Sequence, residues 1–478
     1  MRYPKSFFLL ILMTIAGVLT SCTKYLDVQP EDQFLENQVY SSRVSIRNVL
    51  NGIYLNLAKP VLYGENLSST TLDVLAQYYN TGNSGHPYYT TATYKYTDAA
   101  TMKRTTDIWN NAYTAILNIN LFIANLEAGN KVLSEEEKAL MLGEAYGLRA
   151  FIAFDMLRLF GPLNAMDAAR PVIPYPRTPA SKIETLLSAA SVVANVLEDL
   201  TTAVKLLDKD PVRTNGIKTA GAGEDAFFSM RNRRMNYYAV RALTARVLLY
   251  KQDKPAALEA ATTLINETST WFPWSPAALS VAGIPNPDRI FSSEVILGLE
   301  NAGMYTTQTS NFAASLSTSL LAPLPEVLTA VYENYDNDYR YRTNFSIDRT
   351  STKTDKTFFK YADILDKNAV YRKLQPLIRR SELYYIAIEC ETDDNKATTL
   401  LNTVRLNRGL SPATINGNKK ELLTKEYQKE FWGEGQLFYY YKRTNQSAIR
   451  NGAAANGTIT MTATQYVVPL PLSETSFR

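Results

Sequence analysis

The 478-residue sequence is poor in the residues on which most catalytic and metal sites depend. It holds one histidine, His86, and two cysteines, Cys22 and Cys390. A single histidine excludes a histidine pair spaced for zinc and leaves no second imidazole beside a Ser-His-Asp triad. Glycine-rich phosphate-binding loops of the GxGxxG or GKS/GKT type are absent from the sequence. We therefore expect no catalytic residues, no metal and no cofactor.

The sequence also lacks a large excess of either positive or negative charge. The 50 basic residues stand against 46 acidic ones, a balance that argues against a nucleic-acid-binding protein. No long apolar run follows the first 20 residues, so no membrane-spanning helix is expected in the body of the chain. With two cysteines at most one disulfide could form, and a chain of this length has enough core to fold without one.

What the sequence does contain is an export signal that ends at a cysteine. Arg2 and Lys5 precede an apolar run over 7–19, which leads into Leu-Thr-Ser and then Cys22. The run is shorter than the roughly 20 apolar residues that cross a bilayer. A basic start, a short apolar stretch and small residues before a cleavage point are typical of a signal peptide, and the cysteine is typical of a bacterial lipobox. We predict a lipoprotein signal peptide over 1–21, acylation (palmitate or a related chain) of Cys22, and a tether over 22–41. Cys390 then has no partner and is predicted to be a small core residue.

Apolar periodicity predicts that the rest of the chain is mainly helical. Residues near 3.6 spacing mark helices over 42–60, 108–126, 134–160 and 181–207, and Ser134 with Glu137 forms a capping-box pattern. Two further helix pairs are expected over 238–264 and 377–404, and a short strand over 294–299.

One helix pair carries part of a repeat motif. Ala150, Phe154 and Pro162 stand at the relative positions of the Ala-x3-Phe…Pro half of a tetratricopeptide (TPR) repeat. The prediction is a single domain over 42–478, a mainly α helical-repeat scaffold with large irregular insertions and a few short strands.

Two insertions are rich in polar residues and tyrosine. The chain has 31 tyrosines against 18 phenylalanines and 4 tryptophans. A tyrosine ring can stack on a flat ligand face while its hydroxyl makes a hydrogen bond. Because loops on a rigid scaffold commonly carry binding sites, the insertions over 77–98 and 301–320 are the candidate ligand-binding loops.

Several segments, in order along the chain, resemble the SusD/RagB family of surface nutrient-binding lipoproteins. Near the amino terminus the segment is CTKYLDVQP (22–30), and the first helix pair contains IWNNAY within 108–120, and LRAF and FGP within 144–162. Farther along the chain are LIRRSE (377–382), LNTVR (401–405), EFWGEGQ and YKR within 421–443, and YVVPLPLSE (466–474). The resemblance covers essentially the whole mature sequence.

The resemblance implies a body of four TPR-like helix pairs and a ligand-binding part. It also implies a function: a non-enzymatic, lipid-anchored protein of the outer membrane that captures a nutrient oligomer, most simply a glycan, for a TonB-dependent (SusC-like) barrel. The conserved-looking segments would be scaffold, with Glu434 and Arg443 holding helices together by ion pairs. By location in the two loops, Tyr78, Tyr79, Tyr88, Tyr89 and Tyr305 are the predicted ligand-binding residues.

Three alternatives stay open from the sequence. The same lid could take a peptide ligand, or the repeats could bind only the barrel as a structural adaptor. A surface glycoside hydrolase or esterase is the alternative from another class, because a glycosidase needs only two suitably placed carboxylates.

Overall fold

Helices account for most of the ordered secondary structure. The computed structural model describes residues 39–163, 169–180, 183–281, 283–349 and 351–476. In chain order the helices are α1 (Arg43–Leu57), α2 (Thr71–Leu75), α3 (Tyr89–Ala92), α4 (Ala99–Glu127), α5 (Glu135–Phe160), α6 (Ala189–Leu206), α7 (Val212–Asn215), α8 (Tyr237–Tyr250), α9 (Lys254–Glu267), α10 (Met304–Phe312), α11 (Pro325–Tyr332), α12 (Tyr339–Asn344), α13 (Arg380–Cys390), α14 (Asp394–Leu406), α15 (Lys419–Glu430), α16 (Gln436–Arg443), α17 (Ala463–Tyr466) and α18 (Leu472–Thr475). The mainly α prediction is confirmed.

The strands are short and form two-stranded antiparallel sheets. They are β1 (Pro171–Ile173), β2 (Leu187–Ser188), β3 (Val295–Glu300), β4 (Phe345–Ile347), β5 (Lys356–Phe358), β6 (Leu374–Arg379), β7 (Ala448–Arg450) and β8 (Thr458–Thr460). The pairs are β1 with β2, β3 with β6, β4 with β5, and β7 with β8. In the longest pair Val295 lies opposite Arg379 and Glu300 opposite Leu374.

Local sequence signals account for where several helices begin and end. Ser134 Oγ accepts a hydrogen bond from the Glu137 backbone N at 3.2 Å, so α5 begins directly after its cap, and the helix ends at Gly161 as predicted. In α9 Asp253 caps the first turn and Pro255 occupies it, where its missing N–H costs nothing. These devices set the ends of the helix pairs.

Long helices pack one on the next. α4 packs on α5, α5 on α6, α6 on α8, α8 on α9, α9 on α13, and α13 on α14. The pairs α4/α5, α8/α9 and α13/α14 coincide with the helix pairs expected from the sequence, and small residues such as Ala257, Ala261 and Ala397 are fully buried in them. This array is the frame on which the insertions are carried.

Three predicted helix starts are wrong. The helix expected from Ile108 begins at Ala99, because Asp98 caps it by accepting a hydrogen bond from Ala100 N at 3.0 Å. The helix expected from Ser181 begins only at Ala189, because Leu187–Ser188 pairs with β1 and Ser188 Oγ caps the helix by accepting from Ser191 N at 3.1 Å. The helix expected from Leu377 begins at Arg380, because Leu374–Arg379 forms a strand with Val295–Glu300. That strand partner confirms the strand expected over 294–299.

Buried ion pairs tie the last helices to the frame. Glu434 accepts hydrogen bonds from Lys360 and Arg379, and Arg443 Nη1 and Nη2 donate to Glu389 at 2.6 and 2.7 Å. The predicted scaffold roles of Glu434 and Arg443 are therefore confirmed. Cys390 is buried, as predicted, and burial raises the pKa of its thiol to about 12.

The chain divides into two compact units, 1–49 and 50–478. Only residues 39–49 of the first are described, and these include the first turns of α1. Among the described residues, no helix is both long enough and apolar enough to cross a bilayer. The predicted signal peptide, Cys22 and most of the tether lie outside the described residues.

Candidate ligand-binding surface

The two insertions singled out in the sequence lie side by side. Asn80 N donates to Ala322 O at 2.8 Å, and Leu321 N donates to Asn311 O at 2.8 Å. These bonds join the 77–98 loop to the segment that follows α10. The 301–320 insertion is more regular than expected, because α10 occupies its first half and a 3-10 segment, Ala314–Ser319, its second.

Tyr78 and Tyr79 turn into the core beneath this junction. Their residues are 2% and 1% exposed, and Tyr78 stacks on Trp432 with ring centroids 4.0 Å apart. The Tyr78 hydroxyl donates to Gln428 O at 2.8 Å and the Tyr79 hydroxyl donates to Ser69 O at 3.0 Å. With both rings enclosed and both hydroxyls bonded, neither offers a face to a ligand, and they are not part of the surface described below.

Tyr88 and Tyr89 lie at the rim of the 77–98 loop. Tyr88 is 8% exposed, and the Arg104 guanidinium lies over its ring at 4.2 Å. Burial raises the pKa of Tyr88 to about 12, so its hydroxyl is a hydrogen-bond donor at neutral pH. Tyr89 is half-buried, with the ammonium of Lys95 5.3 Å from its ring centroid. Of the two, Tyr89 is the ring that reaches solvent.

His86 fixes the turn that holds these two tyrosines. Its Nδ1 accepts from the Tyr88 backbone N at 3.1 Å, which places the ring proton on Nε2. Burial lowers the pKa of His86, so the imidazole is neutral at pH 7. The only histidine of the chain therefore has a positioning role in this loop.

Glu65 is a polar residue of this site that sequence reasoning missed. It is half-buried and accepts a hydrogen bond from the Tyr88 hydroxyl at 3.4 Å. Burial raises its pKa, while hydrogen bonds from Tyr88 and Asn311 and the nearby Arg104 charge oppose that shift. Glu65 thus faces residues of both insertions. No sequence signal marks it, because the carboxylate lies in a turn outside both predicted loops.

Tyr305 lies at the other end of α10. The ring is half-buried, with the Arg372 guanidinium 4.9 Å from its centroid, and its hydroxyl accepts from Lys373 N at 3.2 Å. Burial is the main cause of its raised pKa. Six residues separate Tyr305 from Asn311, which corresponds to about 9 Å along the helix axis. The helix therefore bridges the tyrosine and the Glu65 cluster.

The exposed face of α10 between these ends is a row of hydroxyls. Thr306, Thr309 and Ser310 are exposed, and Thr309 Oγ1 donates back to Tyr305 O at 3.1 Å. A hydroxyl that donates its proton to the backbone in this way can still accept a hydrogen bond from a ligand. We call the following set the α10 surface: Glu65, Tyr89, Arg104, Tyr305, Thr306, Thr309 and Ser310. It combines two half-exposed rings with donors and acceptors on a rigid helix, which suits a flat ligand that carries many hydroxyls.

Within the described ranges, no group of three or more His, Cys, Asp or Glu side chains is placed to hold an ion. The α10 surface offers hydrogen-bonding groups and aromatic rings.

Comparison with known proteins gives a consistent picture. Residues 24–224 match a SusD-like family model described as starch-binding and associating with the outer membrane. A SusD-like protein of Formosa agariphila is 22% identical over 59% of this chain, and the match spans about half (49%) of that relative's length. The family-model match includes the 77–98 loop and Arg104 and ends before α10.

Solved structures share the fold over nearly the whole chain. A SusD superfamily protein of Bacteroides thetaiotaomicron is 21% identical, with a TM-score of 0.69 over 91% of this chain and 98% of its own. A SusD-like carbohydrate-binding protein of Bacteroides vulgatus is 17% identical, with a TM-score of 0.68 over 91% and 96%. A laminarin-binding SusD-like protein is also 17% identical, with a TM-score of 0.62 over 91% and 97%. At these identities the likeness concerns the fold.

Proposed function

We propose that this chain, assigned to the SusD-like family by its family-model match and its fold, binds a glycan oligomer at the α10 surface without cleaving it. The single observation that carries the proposal is that the Glu65 carboxylate lies between the two predicted ligand loops, near Tyr88 of the first and Asn311 of the second. The first loop adds the half-exposed ring of Tyr89, and α10 adds the ring of Tyr305 and a row of exposed hydroxyls.

Each part of the α10 surface has a role in this proposal. Tyr89 and Tyr305 contribute ring faces against the apolar side of sugar rings. Glu65 accepts hydrogen bonds from sugar hydroxyls, and Arg104 donates hydrogen bonds to them. Such bonds are stronger with charged groups than with neutral ones. The hydroxyls of Thr306, Thr309 and Ser310 add weaker contacts. Because Glu65 and Arg104 are held by neighbouring bonds before the ligand arrives, little ordering cost opposes binding.

We further propose that the protein works as a lipid-anchored lid on the cell surface. Acyl chains on Cys22 would hold it in the outer membrane, and the 22–41 tether would let it reach a SusC-like TonB-dependent barrel to deliver the glycan. The lipobox pattern at Cys22, the family resemblance and the family's described association with the outer membrane support this role. A single acyl chain binds membranes only weakly, so more than one would be required for stable anchoring.

Ring removal tests the binding surface. Calorimetry on a glycan identified by array screening is expected to show about tenfold weaker binding for Tyr89→Ala and for Tyr305→Ala, as follows from losing the burial of one ring face. Tyr237→Ala is the matched control, since Tyr237 also carries arginines, Arg213 at 4.3 Å and Arg241 at 5.3 Å, but lies on α8. Equal affinity in all three variants would place the ligand elsewhere.

The alternatives appear as other results of the same work. Peptides that bind with the same dependence on Tyr89 and Tyr305 would keep the lid role and change the ligand class. If the wild-type protein released reducing ends from a glycan and Glu65→Gln did not, the protein would be a hydrolase. A half-buried carboxyl with a raised pKa, such as that of Glu65, can act as a general acid. A stable barrel complex with no small ligand would identify an adaptor.

Anchoring has its own test. Metabolic labelling with a fatty-acid analogue is expected to mark the wild-type protein and to leave Cys22→Ser unlabelled. Co-purification of the wild-type protein with an outer-membrane barrel would support delivery. Label retained in Cys22→Ser would contradict acylation at that residue.

A further inference from the structure

A cleft opens next to Tyr305, at the start of α10. It has a volume of about 300 Å³, including its mouth, and its walls include Arg289, Tyr305, Tyr371, Arg372 and Lys373. Apolar side chains such as Ile290 and Leu374 form part of its lining. The cleft therefore adjoins the α10 surface and shares one of its tyrosines.

Arg289 lines this cleft, and no carboxylate in the described part of the chain pairs with it. Its Nε donates to Thr343 O and its Nη1 donates to Ala362 O, both at 3.2 Å, while its Nη2 makes no hydrogen bond to a described residue. The neighbouring Asp288 is engaged elsewhere, since its Oδ2 accepts from Ser292 N and Ser292 Oγ at 2.8 Å. Burial lowers the pKa of Arg289 to about 10, which still leaves it charged at neutral pH.

The buried arginines elsewhere in the described part of the chain are, with one exception, paired with carboxylates. The paired ones are Arg149, Arg158, Arg231, Arg246, Arg340, Arg379, Arg405 and Arg408. Arg380 has no such pair, but it is packed against the rings of Trp274 and Tyr384 at 5.1 and 5.7 Å. Arg289 differs because its charge faces a cleft that is open to solvent.

The remaining charges around the cleft do not cancel Arg289. Asp363 accepts from Arg372 Nε and Nη2 at 2.9 and 3.0 Å and from Lys367 at 2.8 Å, which is why its pKa lies below the usual range. Lys360, which also lines the cleft, pairs with Glu434. Lys373 forms no ion pair within the described ranges and adds a second positive charge.

The backbone at Lys373 is held in an uncommon conformation. Its φ is +62°, which a non-glycine residue adopts at a cost, and two bonds hold it there: Asn301 N donates to Lys373 O at 2.8 Å, and Lys373 N donates to Tyr305 Oη at 3.2 Å. The position of this lysine at the cleft wall is therefore set by the fold rather than by a flexible loop.

We propose that the cleft binds the anionic group of an acidic glycan, either a uronate carboxylate or a sulfate ester, with Arg289 as the main contact and Lys373 as the second cation. This inference rests on the proposed glycan-binding function and names the class of glycan. A guanidinium presents a planar fork that matches the two oxygens of a carboxylate or sulfate. Tyr305 would stack on the sugar that carries the acidic group, so the next units would run along α10.

The test compares three sets of oligosaccharides on the full-length chain: carboxylated, sulfated and neutral. At least one acidic set is expected to bind, and its affinity should fall about tenfold or more in Arg289→Gln and less in Lys373→Gln. Binding should also weaken with added salt, and the salt dependence should be smaller in both variants. Affinity for any neutral oligosaccharide that binds should not change.

Arg342→Gln is the matched control. Arg342 is also half-buried, donates from Nε to a backbone carbonyl, Ser280 O, at 2.8 Å and packs on a tyrosine ring, but it is not part of the cleft wall. If Arg289→Gln fails to fold, Lys373→Gln carries the test, because its substitution removes no ion pair. The carboxylated and sulfated arms distinguish the two anionic groups.

Three results would overturn the inference in different ways. Binding confined to neutral oligosaccharides, dependent on Tyr89 and Tyr305 but not on Arg289, would refute the acidic ligand and leave the proposed function standing. Absence of binding to all three sets would refute both. If acidic oligosaccharides bound equally well to wild type, Arg289→Gln and Lys373→Gln, the cleft would not be the site that recognises their anionic group.

Discussion

Glu430 is the carboxylate on which the scaffold beneath the ligand surface depends most, and its replacement by glutamine should be strongly destabilising. Its Oε1 accepts from Arg379 and from Arg408 Nη2, and its Oε2 accepts from Arg340 Nη1 at 2.8 Å and Arg408 Nε at 3.1 Å. The residue is 2% exposed. Three guanidiniums thus share one buried negative charge.

The surrounding network is balanced in charge. Its linked cations are Arg340, Arg379, Arg405, Arg408, Lys360 and Lys429, and its linked anions are Glu294, Glu333, Asp338, Glu426, Glu430 and Glu434. Lys425 and Glu421 extend it toward the surface by one further charge of each sign. Glutamine keeps the shape of Glu430 but removes one negative charge, so a net positive charge stays buried. Leaving a buried charge uncompensated costs about 3–5 kcal/mol.

The assay is unfolding by urea and by heat. An entropy of unfolding of about 2.1 cal/mol/K per residue gives about 0.9 kcal/mol/K for a body of this size, so the expected fall in Tm is about 3–6 °C. Glu421→Gln is the matched control, because Glu421 lies on the same helix but pairs at the surface with Lys425, at 3.1 Å. That change should cost less than about 0.5 kcal/mol.

The pH dependence adds a second check. The nearby arginines hold the pKa of Glu430 well below its ordinary value, although burial acts in the opposite direction. Its contribution to stability is therefore fully present above the unfolded-state pKa of about 4.3 and is lost as the pH falls through the lower folded-state pKa. The difference between wild type and Glu430→Gln should be constant at neutral pH and shrink in acid. Equal effects of Glu430→Gln and Glu421→Gln at pH 7 would refute the reasoning.

Three other predictions concern single groups. In a Cys22→Ser background the Cys390 thiol, with its pKa raised to about 12, should react with a disulfide reagent only in denaturant, and rapid labelling of the folded protein would contradict its burial. Burial raises the pKa of Asp288 to about 6, so its charged form opposes folding: from pH 8 to pH 4 wild type should gain about 2–3 kcal/mol relative to Asp288→Asn in urea unfolding, and a constant difference would refute this. Gly435→Ala should cost about 2–4 kcal/mol, since φ is +68° and a Cβ would lie 2.5 Å from Leu67 O, whereas Gly417→Ala, with φ +73° and open space, should cost about 1 kcal/mol; similar losses would show that the contact is unimportant.

The helix pairs were predictable because their determinants are local. The α5 helix is marked by Ser134 at its cap and Gly161 at its end, and both function as expected. The starts of α6 and α13 were not predictable, since each is displaced by a strand whose partner is distant in the chain, Pro171–Ile173 in one case and Val295–Glu300 in the other. Helical periodicity cannot report a pairing of that kind.

The predicted ligand tyrosines show the same division. All five belong to polar, tyrosine-rich segments, but only burial separates Tyr78 and Tyr79, enclosed beside Trp432, from Tyr89 and Tyr305, which are half-exposed. The role of Tyr88 is also set by neighbours from elsewhere, Glu65 and Arg104. A side chain in an irregular segment can point either way, and neighbouring residues in the sequence do not determine which.

By itself, the sequence determined the mainly helical class, the likeness to a family, and the prediction of an anchored amino terminus, because periodicity, capping and signal patterns are written in consecutive residues. Tertiary structure alone decided which polar groups meet. Glu65 faces Tyr88 and Asn311, and Arg289 faces a cleft and pairs with no carboxylate among the described residues. The physical reason is that the pairing or exposure of a charge depends on groups brought together by folding from distant parts of the chain.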